Sequence, residues 1–374
     1  MLDLATNGYT KEEVIRQLHY ANGAREIKYS IELLNKYDIK IGELEAEPSG
    51  SIRFDSLAEI KRTANLVIKE NLFKDINWLS DRIRPVLNLR MKDGGWAKWN
   101  LGVFLISSPT RKETGNIILR DLELYDKSLI LKEDKFESRY LVSKGTNYVE
   151  VIINIINNAG ISKVNIKPSN ATATIDKEYE IGTNKLEVIN SLLKEINYTS
   201  LWVDETGVFR ADKYLIPSER EADYTYRDNQ LSIIETGSIE ELDLFSVPNK
   251  WVVVASNPEK EAIISKYENV SATSPISIPN RGRVITDYRT VDDIADQITL
   301  EAYTKRIAYE ASQIYGEFRF NTAIMPHHSH ADLLFIDHKN MGINSKFTEI
   351  NWRINIGSGN MEHTCRRVIY IWVK

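Results

Sequence analysis

The chain has 374 residues and a mass of 43.0 kDa, with 42% hydrophobic and 27% charged side chains; these are globular proportions, enough for two or three domains, and they exclude long disordered or low-complexity stretches. Setting 48 basic against 53 acidic residues gives a net charge of −5, so no cationic surplus argues for sequence-specific nucleic-acid binding. A single cysteine, Cys365, excludes an intrachain disulfide and a Cys-rich zinc module.

The opening, Met1 to Tyr9, lacks the basic and apolar blocks of a signal peptide, and no run of about 18 apolar residues follows, so no stable membrane insertion is expected. Ile27, Tyr29, Ile31 and Leu33 alternate with polar residues, and Ile39 and Ile41 resume the pattern after an Asn35-Lys36 turn, predicting a hairpin. Ile83, Leu87, Leu89 and Met91 alternate with Arg82, Arg84, Asn88 and Arg90, and Leu122 and Leu124 with Asp121 and Glu123. Recurring strands with few helices point to a β-barrel or sandwich over 1–127. Asn147 with Glu150 caps a helix carrying Val149, Ile152, Ile153 and Ile156 to a stop at Gly160. A second helix follows from Asn184, then a hairpin about Glu205-Thr206-Gly207, so 128–217 is a small α+β domain. The charged, aliphatic-poor stretch 218–229 is the linker candidate. From 230 to 374 strands return: Trp251 to Ser256 and Ala262 to Tyr267 as a hairpin through Asn257 to Lys260, then segments at Phe318 to Ile324, Thr348 to Ile356 and Val368 to Val373. One long helix, 291–315, opened by Thr290 and Asp293, interrupts them, with Ile298, Tyr303 and Ile307 on its apolar face. Ile350, Trp352 and Ile354 are the matching core positions of the β-structure. The fold class is therefore β-rich α+β, two β-domains, each with an associated helix, flanking a small α+β domain.

No phosphate-cradling glycine loop, HExxH or GxSxG is present. Histidines concentrate in Pro326-His-His-Ser-His-Ala-Asp332, where the i, i+2 series of an extended segment would set His328, His330 and Asp332 on one side as metal ligands. A polar turn serving shape or subunit contacts explains the same residues, and neither metal nor cofactor is expected. His363 and Cys365 share a strand face as a cysteine-peptidase dyad would, yet lone cysteines are usually small buried hydrophobes; no catalytic residue is assigned. Trp96 and Trp99 could stack on sugar rings only if a turn brought them together. Arg82, Arg84 and Arg90 on one strand and Glu349, Asn351 and Arg353 on another are polar rows suited to a subunit interface.

The order of features resembles one family. Arg283 to Ser312, Phe320 to Asp332, Phe347 to Trp352 and Gly359 to Arg367, with Gly23 to Leu34 and Arg62 to Lys69 near the start, resemble phage tail baseplate hub proteins of the prophage tail-endopeptidase type, found in phages, prophages and phage tail-like bacteriocins of Gram-positive bacteria. The resemblance implies two tail-tube-like β-barrel domains per subunit and a homotrimer that closes the distal end of a tail tube, adapting a sixfold tube to a threefold spike or fibre. It implies as partners a distal tail or tail tube protein, a tape measure protein and a central spike or fibre protein. The chain would assemble in the host cytoplasm and end in the particle's tail tip. The family's endopeptidase label does not transfer, because no residue here matches a peptidase motif. Two readings compete with this structural one: a cell-wall (peptidoglycan) hydrolase component using His363 and Cys365, and a carbohydrate-binding adhesion module using Trp96 and Trp99.

Overall fold

The structure, a computed structural model, describes residues 1–19, 23, 25–44, 46–69, 76–107, 109–242, 245–256, 261–291, 294, 296–313 and 316–368. Helix α1 (Lys11–Leu18) opens under a capping box in which Thr10 and Glu13 each accept the other's backbone N–H. Nine strands follow: β1 (Ile27–Leu34), β2 (Lys40–Leu44), β3 (Ala46–Asp55), β4 (Arg62–Lys69), β5 (Arg82–Arg90), β6 (Trp96–Asn100), β7 (Phe104–Ile106), β8 (Thr110–Thr114) and β9 (Ile117–Asp126). The expected β1–β2 hairpin forms because Asn35 Oδ1 accepts the N–H groups of Tyr37 and Ile39 while Asp38 takes φ +62°. Ile31 and Leu33 turn inward, but Ile39 and Ile41 stay exposed.

The middle of the chain supplies α2 (Ser128–Glu133), β10 (Tyr140–Val142), α3 (Tyr148–Asn158), β11 (Val164–Ile166), β12 (Lys177–Tyr179), α4 (Lys185–Glu195), β13 (Trp202–Val203) and β14 (Phe209–Ala211). These elements close around their own core, from Leu131 to Ala211. Asn147 caps α3 through the N–H groups of Val149 and Glu150, and Asn184 caps α4 through that of Glu187. β13 and β14 form the hairpin about Gly207, and β14 also pairs in parallel with β11.

The last third contributes β15 (Tyr224–Arg227), β16 (Ile239–Leu242), β17 (Lys250–Ala255), β18 (Ile263–Glu268), α5 (Ile278–Arg281), β19 (Thr286–Val291), α6 (Gln297–Gln313), β20 (Gly316–Ala323), β21 (Leu333–His338), β22 (Ile343–Ile356) and β23 (Asn360–Arg367). The chain is thus β-rich with six α-helices among the described residues. The two β-regions are one sheet: fifteen strands connect along the order β16-β20-β23-β22-β3-β4-β9-β7-β5-β1-β2, with β6, β8, β15 and β21 branching from it. β22 and β3 make the join, antiparallel from Asn351 opposite Asp55 to Ile356 opposite Gly50. A common core follows, in which Leu87, Phe54, Trp352 and Phe318 belong to one apolar cluster.

Three expectations are corrected here. The stretch 218–229 is no linker: β15 pairs in parallel with β21, and Tyr226 is buried in the main core, its aromatic alternation hidden among charges. The long helix is shorter than 291–315, because Thr290 belongs to β19 and Asp296 is the cap, accepting from Thr299 N–H; Asp293, Ile314 and Tyr315 lie outside the described residues. With that start, Leu300, Tyr303, Ile307 and Ala308 face inward and Ile298 is 78% exposed, so Ile298 is not a core residue. The helix packs on its own sheet, β18-β17-β19, with a third apolar cluster around Trp251 and Leu300. The β17–β18 pair is the expected hairpin, although its connection at 257–260 lies outside the described residues, as do 369–373 of the expected final strand.

In β22 the pairing slips between Glu349 and Asn351, leaving Ile350 as an extra residue. A one-residue slip exchanges the faces: Phe347 and Glu349 point in before it and Trp352, Ile354 and Ile356 after it, while Ile350 is only half-buried. Glu349 is therefore 2% exposed and no member of a surface row.

Arg82 and Arg84 also belong to this chain's own ion pairs. Arg84 Nε lies 2.6 Å from Glu32 Oε2. Arg82 and Lys127 share the carboxylate of Asp38, Lys127 at 2.9 Å, and Lys127 also donates to Gly207 O at 3.0 Å, tying the first β-region to the middle unit. Burial alone would raise the Asp38 carboxyl, but the hydrogen bonds and charges of Lys127 and Arg82 outweigh it and hold the group below its ordinary 3.8. A depressed carboxylate stabilises the native state fully above its unfolded pKa and loses that contribution as pH falls. Asp38→Asn, which keeps the left-handed turn but takes the carboxylate from buried Lys127 and part-buried Arg82, is expected to cost about 3 kcal/mol. Urea midpoints at pH 7 measure this, and the gap between wild type and variant should close as the pH falls below 3.8.

Candidate functional site

The Pro326–Asp332 segment leaves β20 as a tight turn instead of an extended strand. Ala331 takes φ +49°, Ser329 N–H donates to Asp332 Oδ2 at 2.6 Å, Trp352 Nε1 donates to Ser329 O at 3.0 Å, and Glu349 N–H to Asp332 O at 2.8 Å. The i, i+2 geometry is absent, so the expected trio separates. His330 swings out, stacks on Trp202 with ring centroids 5.0 Å apart and meets Phe54 edge-on. It borders a cleft of about 490 Å³ whose wall also holds Arg220, Arg306, Tyr214 and Arg366. Asp332 turns inward, where the amino group of Met1 lies 2.5 Å from Oδ1.

His328 meets two residues that sequence reasoning did not join to it. Its Nδ1 lies 2.6 Å from Glu349 Oε2, and His363 Nδ1 lies 2.6 Å from Glu349 Oε1, so one carboxylate bridges two imidazoles. The outer nitrogens are also engaged: His328 Nε2 with Tyr226 Oη at 2.6 Å and His363 Nε2 with Thr322 Oγ1 at 2.8 Å. One proton assignment satisfies all contacts. Both neutral rings donate Nδ1–H to the carboxylate and accept the Tyr226 and Thr322 hydroxyls at Nε2. The side chains of His328, Glu349 and His363 are at most 1% exposed. Burial lowers the His328 pKa to about 4 and also pulls down that of His363, which keeps the rings neutral, and it pushes Glu349 up to about 7 against the pull of His363. The Ile350 bulge is the only signal that could have exposed Glu349 to sequence analysis, and an unbroken apolar alternation conceals it.

The remaining candidates are dispersed. Cys365 shares the inner face of β23 with His363, but that ring is committed to Glu349 and Thr322, and burial drives the thiol far above its ordinary pKa. A nucleophilic cysteine needs the opposite shift. Trp96 and Trp99 fall on opposite faces of β6: Trp96 carries Arg90 and Lys28 over its ring, and Trp99 is buried with Nε1 toward Asp3 O. They form no common platform. Asn351 bonds to Asp55 across the β22–β3 seam, and Arg353 sits on the same doubly paired strand, so neither row offers a free strand edge.

Two measurements follow from this geometry. Cys365 should resist iodoacetamide in the native protein and react on unfolding in urea, read by mass shift. Glu349→Ala, which leaves two buried N–H donors without an acceptor, should lower stability by at least about 3 kcal/mol, read from denaturant midpoints.

No protein-family model and no curated protein sequence matches the chain. Solved structures do. A tail protein from Neisseria meningitidis superposes with TM-score 0.64 at 13% identity, covering 91% of this chain and 96% of that one. The 43 kDa tail protein of prophage MuSo2 from Shewanella oneidensis gives 0.62 at 10%, covering 90% and 98%. Prophage tail protein gp18 from Listeria monocytogenes gives 0.58 at 11%, covering 90% and 94%. The likeness covers nine-tenths or more of both chains in each case, and the fold of this chain is that of these tail proteins.

Proposed function

We propose that the chain is a structural hub at the distal tip of a phage tail or phage-like particle, a homotrimer that closes the tube and adapts sixfold to threefold symmetry. The observation that carries this reading is the open sheet. β2 and β16 stand at its two ends, each paired on one side only among the described residues. Both ends expose apolar side chains, Ile41 at 52% on one, Ile239 at 50% and Leu242 at 46% on the other. Exposed strand edges of this kind are pairing surfaces, and two different edges on one chain can make a heterologous contact, which gives a ring when its rotation is one third of a turn. The two β-regions then act as two tube-like halves of one continuous sheet per subunit, six per trimer, facing a tail tube or distal tail protein, with the tape measure protein and a spike or fibre as further partners; closed barrels would need edges supplied by neighbouring subunits. The end-to-end likeness to tail proteins supports the same reading. Neither a hydrolase nor a sugar-binding role gains an observation, since the Cys365 thiol is sealed in the core and the tryptophans are divided between faces.

Light scattering should give about 129 kDa, three times 43.0 kDa, for the chain alone or with its tube partner. Ile41→Lys and Ile239→Lys should each yield a folded 43.0 kDa monomer. A chain that stays monomeric with and without its tube partner overturns the hub reading.

A further inference from the structure

We propose that His328, His363 and Glu349, with Asp332 beside them, form a binding site for one divalent transition cation of the zinc class. The donors come from three places that only the fold unites: the turn after β20, the bulged stretch of β22, and β23. Their ligand atoms, for His328, Glu349 and His363, all lie within 4.8 Å of one another. Each imidazole Nδ1 stands 2.6 Å from a different oxygen of the same carboxylate, inside the roughly 2.9 Å usual for an N–H···O bond, so a small rotation of the Glu349 carboxylate would let both nitrogens and an oxygen share one cation. Asp332 Oδ2 lies 3.9 Å from His328 Nδ1, but that carboxylate already holds the Met1 ammonium and the Ser329 N–H, so it stands beside the set as a neighbouring charge and not as a ligand.

The surroundings suit a cation. Metal-bound histidines are held from behind by a partner on the second ring nitrogen, and here Tyr226 and Thr322 stand at those nitrogens. Cation entry needs no change in ring charge: each proton passes from Nδ1 to Nε2, and each hydroxyl turns from donor to acceptor. Glu349 has only the two neutral imidazoles as hydrogen-bond partners among the described residues, so its buried carboxylate faces no cationic side chain at contact distance. Two nitrogens and one carboxylate, with water completing the shell, favour zinc, cobalt, iron or manganese over calcium and magnesium, which prefer oxygen alone. His330 and His327 stand outside the set, the first stacked on Trp202 and the second packed edge-on to Tyr224.

The test is titration of the chelator-stripped full chain with Co²⁺. One equivalent per chain should produce the visible absorption of a four-coordinate site, and Zn²⁺ should abolish it. Glu349→Gln and His363→Gln should weaken binding at least about 100-fold, Tyr226→Phe about 10–100-fold, and His330→Gln not at all. X-ray absorption of the zinc-loaded wild type, which needs no variant to fold, should show nitrogen and oxygen neighbours near about 2.0 Å and the outer scattering of two imidazoles. Absence of binding by the folded wild type, an oxygen-only shell, undiminished binding in folded Glu349→Gln, or loss in His330→Gln overturns the assignment. Trimerisation is read separately, so this result and the hub reading stand or fall independently.

Discussion

The pairing of β3 with β22 is the contact on which the architecture depends. It joins strands about three hundred residues apart in sequence, and with it the two β-regions share one core instead of two smaller ones. A buried arginine seals the join. Phe54 of β3 and Trp352 of β22 stack with centroids 5.8 Å apart, and Arg62 lies against this pair, its guanidinium 5.0 and 5.4 Å from the ring centres; it donates to Leu101 O at 2.8 Å, while its backbone N–H reaches Asp126. Placing a charge there is costly unless it is stacked and bonded, so these aromatic rings, the Leu101 carbonyl and the Asp126 carboxylate have to be in place together. Gly102, at φ +138°, leaves room for this arrangement; a Cβ there would come within 2.6 Å of Arg62 Cδ.

Next to that seam lies a second polar centre of the opposite kind, a carboxylate between two imidazoles in an otherwise apolar sheet. Such networks stabilise only when every member is satisfied, and here both Nδ1–H groups and the Tyr226 and Thr322 hydroxyls find acceptors. They also impose uniqueness. An apolar core tolerates small slips, whereas Glu349 can meet both rings only if the bulge stays at Ile350 and β23 keeps its register against β20. The network therefore fixes alignment across three strands where side-chain volume alone would not.

What the sequence disclosed follows the range of the interactions. Asn147 and Asn184 announce their helices because a cap is satisfied within three residues, and the β1–β2 hairpin is legible because Asn35 bonds to its own turn. The features that failed are those decided at long range. Ile298 continues the helical period of Ile294, yet the helix starts at Gln297 and turns that residue to solvent. Tyr226 sits in a charged stretch and becomes a core residue only through its pairing with β21. His328 and Asp332 are visible as a motif, but Glu349 and His363 join them through sheet register, which no local pattern encodes.

The position of the α6 unit carries a separate consequence. β16 ends at Leu242, directly opposite Gly316 at the start of β20, so the chain leaves the large sheet and re-enters it at one point. The intervening residues, with their own three-stranded sheet and a core that Leu333 and Val368 complete from outside, form an excursion whose length does not enter the register of the strands on either side. Closing such a loop costs little more when it grows longer. This corner of the molecule can thus be shortened, extended or exchanged over evolutionary time without re-aligning the sheet, so surface diversity can accumulate there while the framework of the large sheet stays fixed.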